Sequence, residues 1–299
     1  MVAALDGRPL RRGRLDQRAG AQHQGGGCDQ AEDETFHAKA PARAARRPLA
    51  VSVCNSYTAS NFLYNCYNLL KAYTRGFIMY KIKVGISACL LGQEVRFDGG
   101  HKRSSFCERD LGAHFEYHPV CPEMAIGLGA PRAAIRLVKR HGEVRAEASN
   151  GSFDVTDKLI AFSEQKARQL DFLSGYILCA KSPSCGMERV RIYGANNEGS
   201  AKEGIGLFAK ALMEANPLLP VEEDGRLCDP ILRENFVLRV FAYHDWQQLC
   251  ARGITASALI RFHSRYKYLV LSHATTHYRA LGRLLANLGK ANLQEVADS

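Results

Sequence analysis

The pattern of hydrophobic and polar residues across 79–230 predicts an α/β domain. Strand-like segments lie at Ile82–Ser87, Phe115–Val120, Gly175–Ala180 and, more weakly, Leu218–Glu222. Apolar residues recur with helical spacing in the segments Thr156–Asp171 and Lys202–Ala215. Strands that alternate with helices of this length predict an open, mostly parallel sheet with helices on its faces.

The residues after this domain, 231–299, have a helical pattern. Apolar positions predict helices at Ile231–Leu249, Ser257–Leu271 and Tyr278–Leu288. The chain stops at Ser299, soon after the third of these and without an obvious partner to close a bundle. We therefore expect an α-helical C-terminal region that is truncated.

Residues 1–78 differ from the rest of the chain. They are rich in Arg, Ala, Gly and Gln and show no sustained period, whereas a strand pattern begins directly after Met79. One hypothesis is that Met79 is the biological start and that 1–78 is a misassigned extension. The alternative is a basic, mostly disordered leader. In either case we assign no chemistry to Cys28, Cys54 or Cys66.

Charge and hydropathy indicate which kinds of partner the protein can bind. No apolar run in the 299 residues reaches the roughly 18 residues that a membrane helix needs, and no signal peptide is present, so the pattern predicts a cytoplasmic protein without a membrane partner. The net charge of +10 is concentrated at the two ends. Such clustering is typical of proteins that bind a polyanion, although a solvated helix face would give the same pattern.

Three cysteines follow three of the predicted strands. Cys89 follows the first, Cys121 the second and Cys185 the third, each beside Pro or Gly or in a turn that contains them. Ligands of parallel α/β sheets bind outside the carboxyl ends of the strands, so these thiols are expected to converge. Thiolates suit zinc or iron–sulfur clusters, and three ligands leave one coordination position open, as in catalytic sites. The alternative is that each Cys is a compact apolar residue in a tight turn.

The other cysteines of residues 79–299 are less strongly indicated as ligands. Cys179 lies within the third predicted strand and is interpreted as core, and Cys107 follows a charged loop. Cys228 and Cys250 lie in no comparable context. No C-x-x-C pair supports a zinc ribbon or a thioredoxin-type dithiol.

Polar residues near the three cysteines fit a reaction site. Glu123 lies two residues after Cys121, and Ser182 three residues before Cys185. A carboxyl and a hydroxyl group beside a Lewis-acidic metal are groups that a hydrolytic reaction uses. The loop at Asp98 and the guanidinium of Arg132 are further candidates for substrate contact, and a plain surface turn and an ordinary surface arginine are the alternatives.

Four separated motifs resemble the thiouracil desulfidase family, also known as domain of unknown function 523. They are Ser87-Ala88-Cys89-Leu90-Leu91-Gly92, Val95-Arg96-Phe97-Asp98-Gly99, Val120-Cys121-Pro122-Glu123 and Ser182-Pro183-Ser184-Cys185-Gly186. The resemblance covers about residues 80–230. It implies a [4Fe–4S] cluster that is held by Cys89, Cys121 and Cys185 and has one open iron.

The same resemblance implies a non-redox reaction on a thiolated uracil base. The thiocarbonyl sulfur would bind the open iron, and water activated by Glu123 would attack the ring carbon while Ser182 assists proton transfer. Sulfur would leave as sulfide, so that oxygen replaces it by hydrolysis. Zinc-dependent nucleobase deaminases attack the same kind of ring carbon.

A second resemblance concerns the helical end of the chain. The segments Leu259–Leu269 and Tyr278–Gly282 are similar to the start of the YbgA-like domain, domain of unknown function 1722, which is normally longer. Proteins that fuse the two domains resemble bacterial desulfidases of 4-thiouridine in tRNA. This implies tRNA as a partner, with phosphate contacts from Arg261, Arg265, Lys267, Arg279 and Arg283.

Other functions stay open at this point. The chain can be a desulfidase of free thiouracil, a non-catalytic iron–sulfur sensor, or an RNA-binding module whose cysteines only pack. Ligand type alone does not separate iron from zinc. The sequence indicates no protein partner.

Overall fold

The computed structural model describes residues 81–194, 199–288 and 293–298, so the predicted extension 1–78 lies outside the described residues. Within these ranges eight strands, β1 to β8, lie at Ile82–Ser87, Phe115–Val120, Ile135–Arg140, Glu143–Ala148, Tyr176–Leu178, Val190–Tyr193, Ser200–Gly204 and Val221–Glu223. They form two four-stranded sheets, one of which carries the candidate site.

The first sheet is entirely parallel, in the order β2-β1-β5-β8. Its central strand β1 is buried at five of its six positions, with Lys83 as the exception. Such a near-continuous buried run is typical of a parallel strand that is covered on both faces. The predicted α/β fold with a mostly parallel sheet is therefore confirmed.

The second sheet was not predicted. Its order is β4-β3-β6-β7, with antiparallel β3–β4 and β6–β7 pairs and a parallel β3–β6 pair. The β3–β4 hairpin turns at His141 and Gly142, which both have positive φ. Two consecutive residues with positive φ are typical of a tight two-residue hairpin. Charged residues on β3 and β4 obscure the period-two pattern that identifies a half-buried strand.

Helices α1 to α7 lie at Pro122–Ala125, Thr156–Arg168, Leu207–Ala215, Pro230–Arg252, Ala256–His273, Thr275–Ala286 and Leu293–Asp298. Three short helical turns supplement them, at Ala88–Leu91, Cys107–Leu111 and Arg226–Cys228. The predicted helix 202–215 begins later, at Leu207, because residues 200–204 form β7. The predicted strand 175–180 ends at Leu178, which places Cys179 beyond the strand.

The C-terminal helices follow the predicted pattern. Asp229 caps α4, since its carboxylate accepts hydrogen bonds from the backbone N–H groups of Ile231 and Leu232. Phe236 and Val240 of α4 belong to the same buried core as β1 and β5. A separate cluster joins α4 to α5 through Ala242, Tyr266 and Val270. Among the described helices, none combines the length and the apolar character that crossing a bilayer requires. The division into domains at residue 230 stays a prediction.

Candidate active site

The three cysteines predicted as ligands all lie at the carboxyl edge of the first sheet. Cys89 lies in the helical turn directly after β1, and Cys121 directly after β2 as the residue before α1. Cys185 lies in the loop after β5. Because β1 pairs with both β2 and β5 in parallel, the three strands end at the same edge. Parallel topology thus brings together residues that are up to 96 positions apart in the numbering.

Burial and mutual repulsion act on these thiols. A hydrogen bond with Cys179, burial, and the charges that Cys185 and Cys121 carry as thiolates raise the pKa of Cys89. Burial raises the pKa of Cys121 and that of Cys185, and negative charge on Glu123 acts in the same direction on both. The sulfurs therefore lie close enough to interact electrostatically. Cys185 is buried and Cys89 and Cys121 are half-buried, so the three thiols need a compensating cation if they are to ionise together.

A fourth thiol lies beside Cys89. Cys179 hydrogen-bonds Cys89, and this bond, together with the ammonium of Lys102, lowers the pKa of the Cys179 thiol. Lys102 is exposed and forms an ion pair of 2.8 Å with Asp224. The Cys179 backbone N–H donates to Ser87 Oγ at 3.0 Å. Sequence reasoning placed Cys179 in the core, and it is buried, but it also contacts a predicted ligand.

Glu123 is held by two side chains that sequence analysis did not connect with it. Its Oε2 forms an ion pair with Arg132 Nη2, and its Oε1 accepts a hydrogen bond of 2.8 Å from Ser184 Oγ. Arg132 is anchored in turn, since its Nη1 donates to the carbonyl oxygens of Gly129 at 2.6 Å and Val95 at 3.1 Å. The carboxylate of Glu123 is therefore fixed at the site, two residues from Cys121.

Ser182 organises the loop that carries Cys185. Its Oγ accepts hydrogen bonds from the backbone N–H groups of Ser184 at 3.2 Å and Cys185 at 3.1 Å. Because the oxygen accepts both bonds, the hydroxyl hydrogen must find its acceptor elsewhere. The Ser182 side chain thus shapes the loop and retains a proton to donate.

Helix α3 begins directly against this loop. The backbone N–H of Phe208 donates to the carbonyl of Ser184 at 2.9 Å, and that of Gly206 to the carbonyl of Gly186 at 2.8 Å. A Cβ atom at Gly206 would lie 2.5 Å from the Ser184 carbonyl oxygen, so the close approach requires glycine. On the other side, Glu223 Oε1 accepts a hydrogen bond of 2.8 Å from the Met187 backbone N–H. The loop is held at both ends by neighbouring elements.

Comparisons with known proteins identify the family of this site. A family model described as 2-thiouracil desulfurase matches residues 84–224. The sequence is also 33% identical to a protein of solved structure, described as "[4Fe-4S]-dependent thiouracil desulfidase TudS", over 53% of this chain and 99% of the other, with a TM-score of 0.42. The chain belongs to the 2-thiouracil desulfurase family. This assignment rests on the sequence and confirms the predicted resemblance.

A further relative matches a shorter stretch of the chain. Over 55 residues the sequence is 38% identical to "Uncharacterized protein YbgA" of Escherichia coli (strain K12). The match covers 18% of this chain and 32% of the relative, so the chain spans about a third of the length of that protein. The predicted combination of a desulfurase domain with a YbgA-like region is thereby confirmed.

Within the desulfurase domain, the two predicted substrate residues have different surroundings. Asp98 is exposed, and its pKa is lowered mainly by a hydrogen bond from the Gly100 backbone N–H and by Arg96. Arg132 is buried, and its backbone N–H donates to the carbonyl of Phe97 at 2.8 Å, which places the Asp98 loop beside it. Both guanidinium Nη atoms have partners in the protein. Substrate contact by either residue stays a prediction.

The predicted RNA-contacting residues lie on α5 and α6, where all except half-buried Lys267 are exposed. Arg265 forms an ion pair with Asp245, and Arg261 donates to Ser257 Oγ at 2.6 Å. The Lys267 ammonium lies 5.0 Å from the centre of the Tyr268 ring. Arg279 and Arg283 lie on α6. Phosphate binding by these residues stays a prediction.

Within the described ranges all seven cysteines are free thiols, and no three His, Cys, Asp or Glu side chains meet as a group that can hold a single metal ion. The ligands of a multi-iron cluster bind different irons, so they need not converge as closely. Cluster ligation by Cys89, Cys121 and Cys185 stays a prediction. Of the remaining thiols, Cys107 is buried and burial raises its pKa to about 11, while Cys228 and Cys250 are exposed.

Sequence reasoning missed several residues of the site. Ser184 contacts Glu123, and Lys102 contacts Asp224, so each pair joins distant segments of the chain. Ser87 and Glu223 bond backbone groups of the site loops. Ser87 and Ser184 lie inside the quoted motifs and Lys102 lies shortly after one, and this was the available signal.

Proposed function

We propose that this chain is an iron–sulfur-dependent desulfidase that replaces sulfur by oxygen in a thiolated uracil base. The observation that carries the proposal is the carboxylate of Glu123, fixed by Arg132 and Ser184 two residues from the Cys121 thiol in a desulfurase-family domain. A fixed carboxylate is the group that hydrolysis needs for proton transfer to and from water.

The residues present fit an iron–sulfur cluster. Cys89, Cys121 and Cys185 are soft donors, and their charges repel one another. The solved relative is described as [4Fe-4S]-dependent, which supports the same cofactor here. We infer that these three cysteines would hold it, with one iron left open. When bound, the cluster supplies a Lewis-acidic iron for the sulfur of the substrate.

Side chains of this protein carry out proton transfer and position the reacting groups. Glu123 accepts a proton from the water that attacks the thiolated carbon. Ser182 donates its remaining hydrogen toward the substrate or the departing sulfur. Arg132 keeps the Glu123 carboxylate in place, and buried surroundings exclude bulk water from the reacting atoms. No electron transfer is needed, because hydrolysis exchanges one substituent for another.

We infer that the substrate is 4-thiouridine in tRNA. The exposed cations of α5 and α6 support an extended polyanionic substrate. A base inside folded RNA must leave its stack to reach an enclosed site. Free thiouracil is the alternative substrate, and its turnover would not require the helical region. A cytoplasmic location is proposed on the same grounds.

A desulfidation assay tests the proposed reaction. The protein is reconstituted anaerobically with iron and sulfide, bound iron is measured, and thiobase absorbance and released sulfide are followed. We expect turnover by the wild type and a loss of about 10²-fold or more in Glu123→Gln with iron retained. Glu147→Gln is the matched control, because Glu147 is a buried carboxylate ion-paired with Arg140 in the second sheet. Equal turnover by wild type and Glu123→Gln would reject the assigned role of Glu123, and iron-loaded wild type that leaves every thiobase unchanged would favour a sensor.

A binding experiment separates tRNA from free base. We expect tRNA affinity to fall steeply with salt and the double variant Arg279→Glu/Arg283→Glu to reduce the salt slope by about 2. The control, Lys139→Glu/Arg191→Glu, changes two exposed cations of the second sheet. Free thiouracil turned over as well as tRNA would reject the tRNA assignment. Tight RNA binding by protein without iron would favour a binding module.

A further inference from the structure

The hydroxyl group of Tyr176 is a buried polar group without a partner. Tyr176 lies on β5, and its side chain is completely buried. Its Oη has no hydrogen-bond partner among the described residues. A buried hydroxyl that bonds nothing loses its hydration without compensation, so such groups in folded proteins call for a specific explanation.

The ring that carries this hydroxyl is held tightly. Tyr176 is the register partner of Gly85 on β1, and a Cβ atom at Gly85 would lie 2.2 Å from Tyr176 Cδ2. Phe208 of α3 packs edge-on, with 5.7 Å between the ring centres. The ring therefore has no room to turn, and the Oη position is determined by the packing of β1, β5 and α3.

The Tyr176 ring lies beside the loop that carries Cys185. Phe208, which packs on the ring, donates its backbone N–H to the Ser184 carbonyl at 2.9 Å. Tyr176 and Cys185 belong to one buried core, and Cys89 packs against it. Burial raises the pKa of Tyr176 well above its ordinary value, so its proton stays on the oxygen. A neutral, unpartnered O–H in this core is a hydrogen-bond donor for an anionic sulfur acceptor.

We infer that the Tyr176 hydroxyl donates a hydrogen bond to an anionic sulfur of the bound cluster, either a ligand thiolate or a bridging sulfide. This inference rests on the proposed function, because the acceptor is present only when the cluster is bound. Hydrogen bonds to cluster sulfurs raise the reduction potential, since they stabilise the more negative, reduced state. Tyr176 is accordingly a positioning residue that acts through the cluster.

The test compares Tyr176→Phe with the wild type after anaerobic reconstitution. Both proteins are analysed for bound iron, and the midpoint potential of the cluster is measured by redox titration. We expect Tyr176→Phe to retain its iron and to shift the midpoint potential to a more negative value. Tyr117→Phe is the matched control, because Tyr117 lies on β2 of the same sheet and its hydroxyl donates to the Cys107 carbonyl at 2.6 Å. That variant should leave the potential unchanged.

A second measurement separates an effect on the cluster from an effect on the stability of the fold. Without iron, Tyr176→Phe should unfold at the same urea concentration as the wild type or a higher one, because the variant removes a hydroxyl that bonds nothing. A lower urea midpoint of iron-free Tyr176→Phe would mean that the hydroxyl has a partner in the protein, which overturns the inference. An unshifted potential in an iron-loaded variant overturns it as well, while the proposed function stands. Wild-type protein that binds no iron would overturn both.

Discussion

Ser184 Oγ donates a hydrogen bond of 2.8 Å to Glu123 Oε1, across 61 positions of the chain. Glu123 follows Cys121 and Pro122, and Ser184 directly precedes Cys185. The bond therefore connects two segments of the candidate site. The opposite oxygen of the carboxylate is paired with Arg132. One acidic group is thereby fixed from two directions.

Removing the Ser184 hydroxyl should misplace this carboxylate. We expect Ser184→Ala to lower kcat by about tenfold to 10²-fold with a smaller change in KM, because the orientation of a proton-transfer group affects the chemical step. Ser184→Thr keeps the hydroxyl and should restore most of the activity. Steady-state kinetics on the preferred thiobase provide the measurement, and unchanged kcat in Ser184→Ala would contradict the assigned role.

Removing Arg132 should destabilise the protein. The side chains of Arg132 and Glu123 are 5% and 13% exposed, and loss of the guanidinium leaves a buried carboxylate unpaired. We expect Arg132→Leu to lower the free energy of unfolding by about 3–5 kcal/mol. Arg145→Leu, which removes a more exposed ion pair with Asp154, should change the urea midpoint little. Similar losses in the two variants would argue against a special role of the Glu123 pair.

Gly206 should tolerate no side chain. A Cβ atom there meets the Ser184 backbone, so Gly206→Ala should displace the Cys185 loop, cost about 1–3 kcal/mol and reduce bound iron. Gly225→Ala is the control, because its Cβ would meet open space and its φ of −66° suits alanine. Urea unfolding and iron analysis check both variants. Full iron retention in Gly206→Ala would show that the loop adapts.

Replacing Cys89 and replacing Cys179 should change the amount of bound iron differently. We expect Cys89→Ala to lose most of the iron and Cys179→Ala to retain it, since three cysteines are assigned as ligands and Cys179 only contacts Cys89. Iron analysis and the visible spectrum of reconstituted protein distinguish the two. Equal loss in both variants would make Cys179 a ligand and would leave no open iron.

His244 should make stability depend on pH. Burial lowers the pKa of His244 from 6.5, and its Nδ1 lies 3.1 Å from Ser174 Oγ. Between the lowered pKa and 6.5 the unfolded state binds more protons than the folded state, so stability falls as the pH drops through this window. His244→Gln should weaken this dependence in urea unfolding at several pH values, whereas exposed His277→Gln should preserve it. Burial also lowers the pKa of His263, so part of the dependence should remain.

Local sequence patterns predicted much of the first sheet. The strands 82–87 and 115–120 have the predicted bounds. The first is a near-continuous buried run, whereas the second is buried only at Phe115 and Val120. The three candidate ligands were also identified before the fold was known, since each follows such a strand. The second sheet was missed because β3, β4 and β7 carry charged residues at many positions and one of their faces is exposed.

The sequence by itself determined the α/β class, the family, and the residues that supply thiol, carboxyl and hydroxyl groups. All three depend on patterns within a few residues of one another, and such patterns can be seen without the fold. The tertiary structure decided which groups meet: Glu123 with Arg132 and Ser184, Cys89 with Cys179, and Tyr176 with Phe208 in the core that also holds Cys185. These contacts join distant segments, and the packing of parallel strands against α3 sets their geometry. No single segment of the sequence shows this geometry.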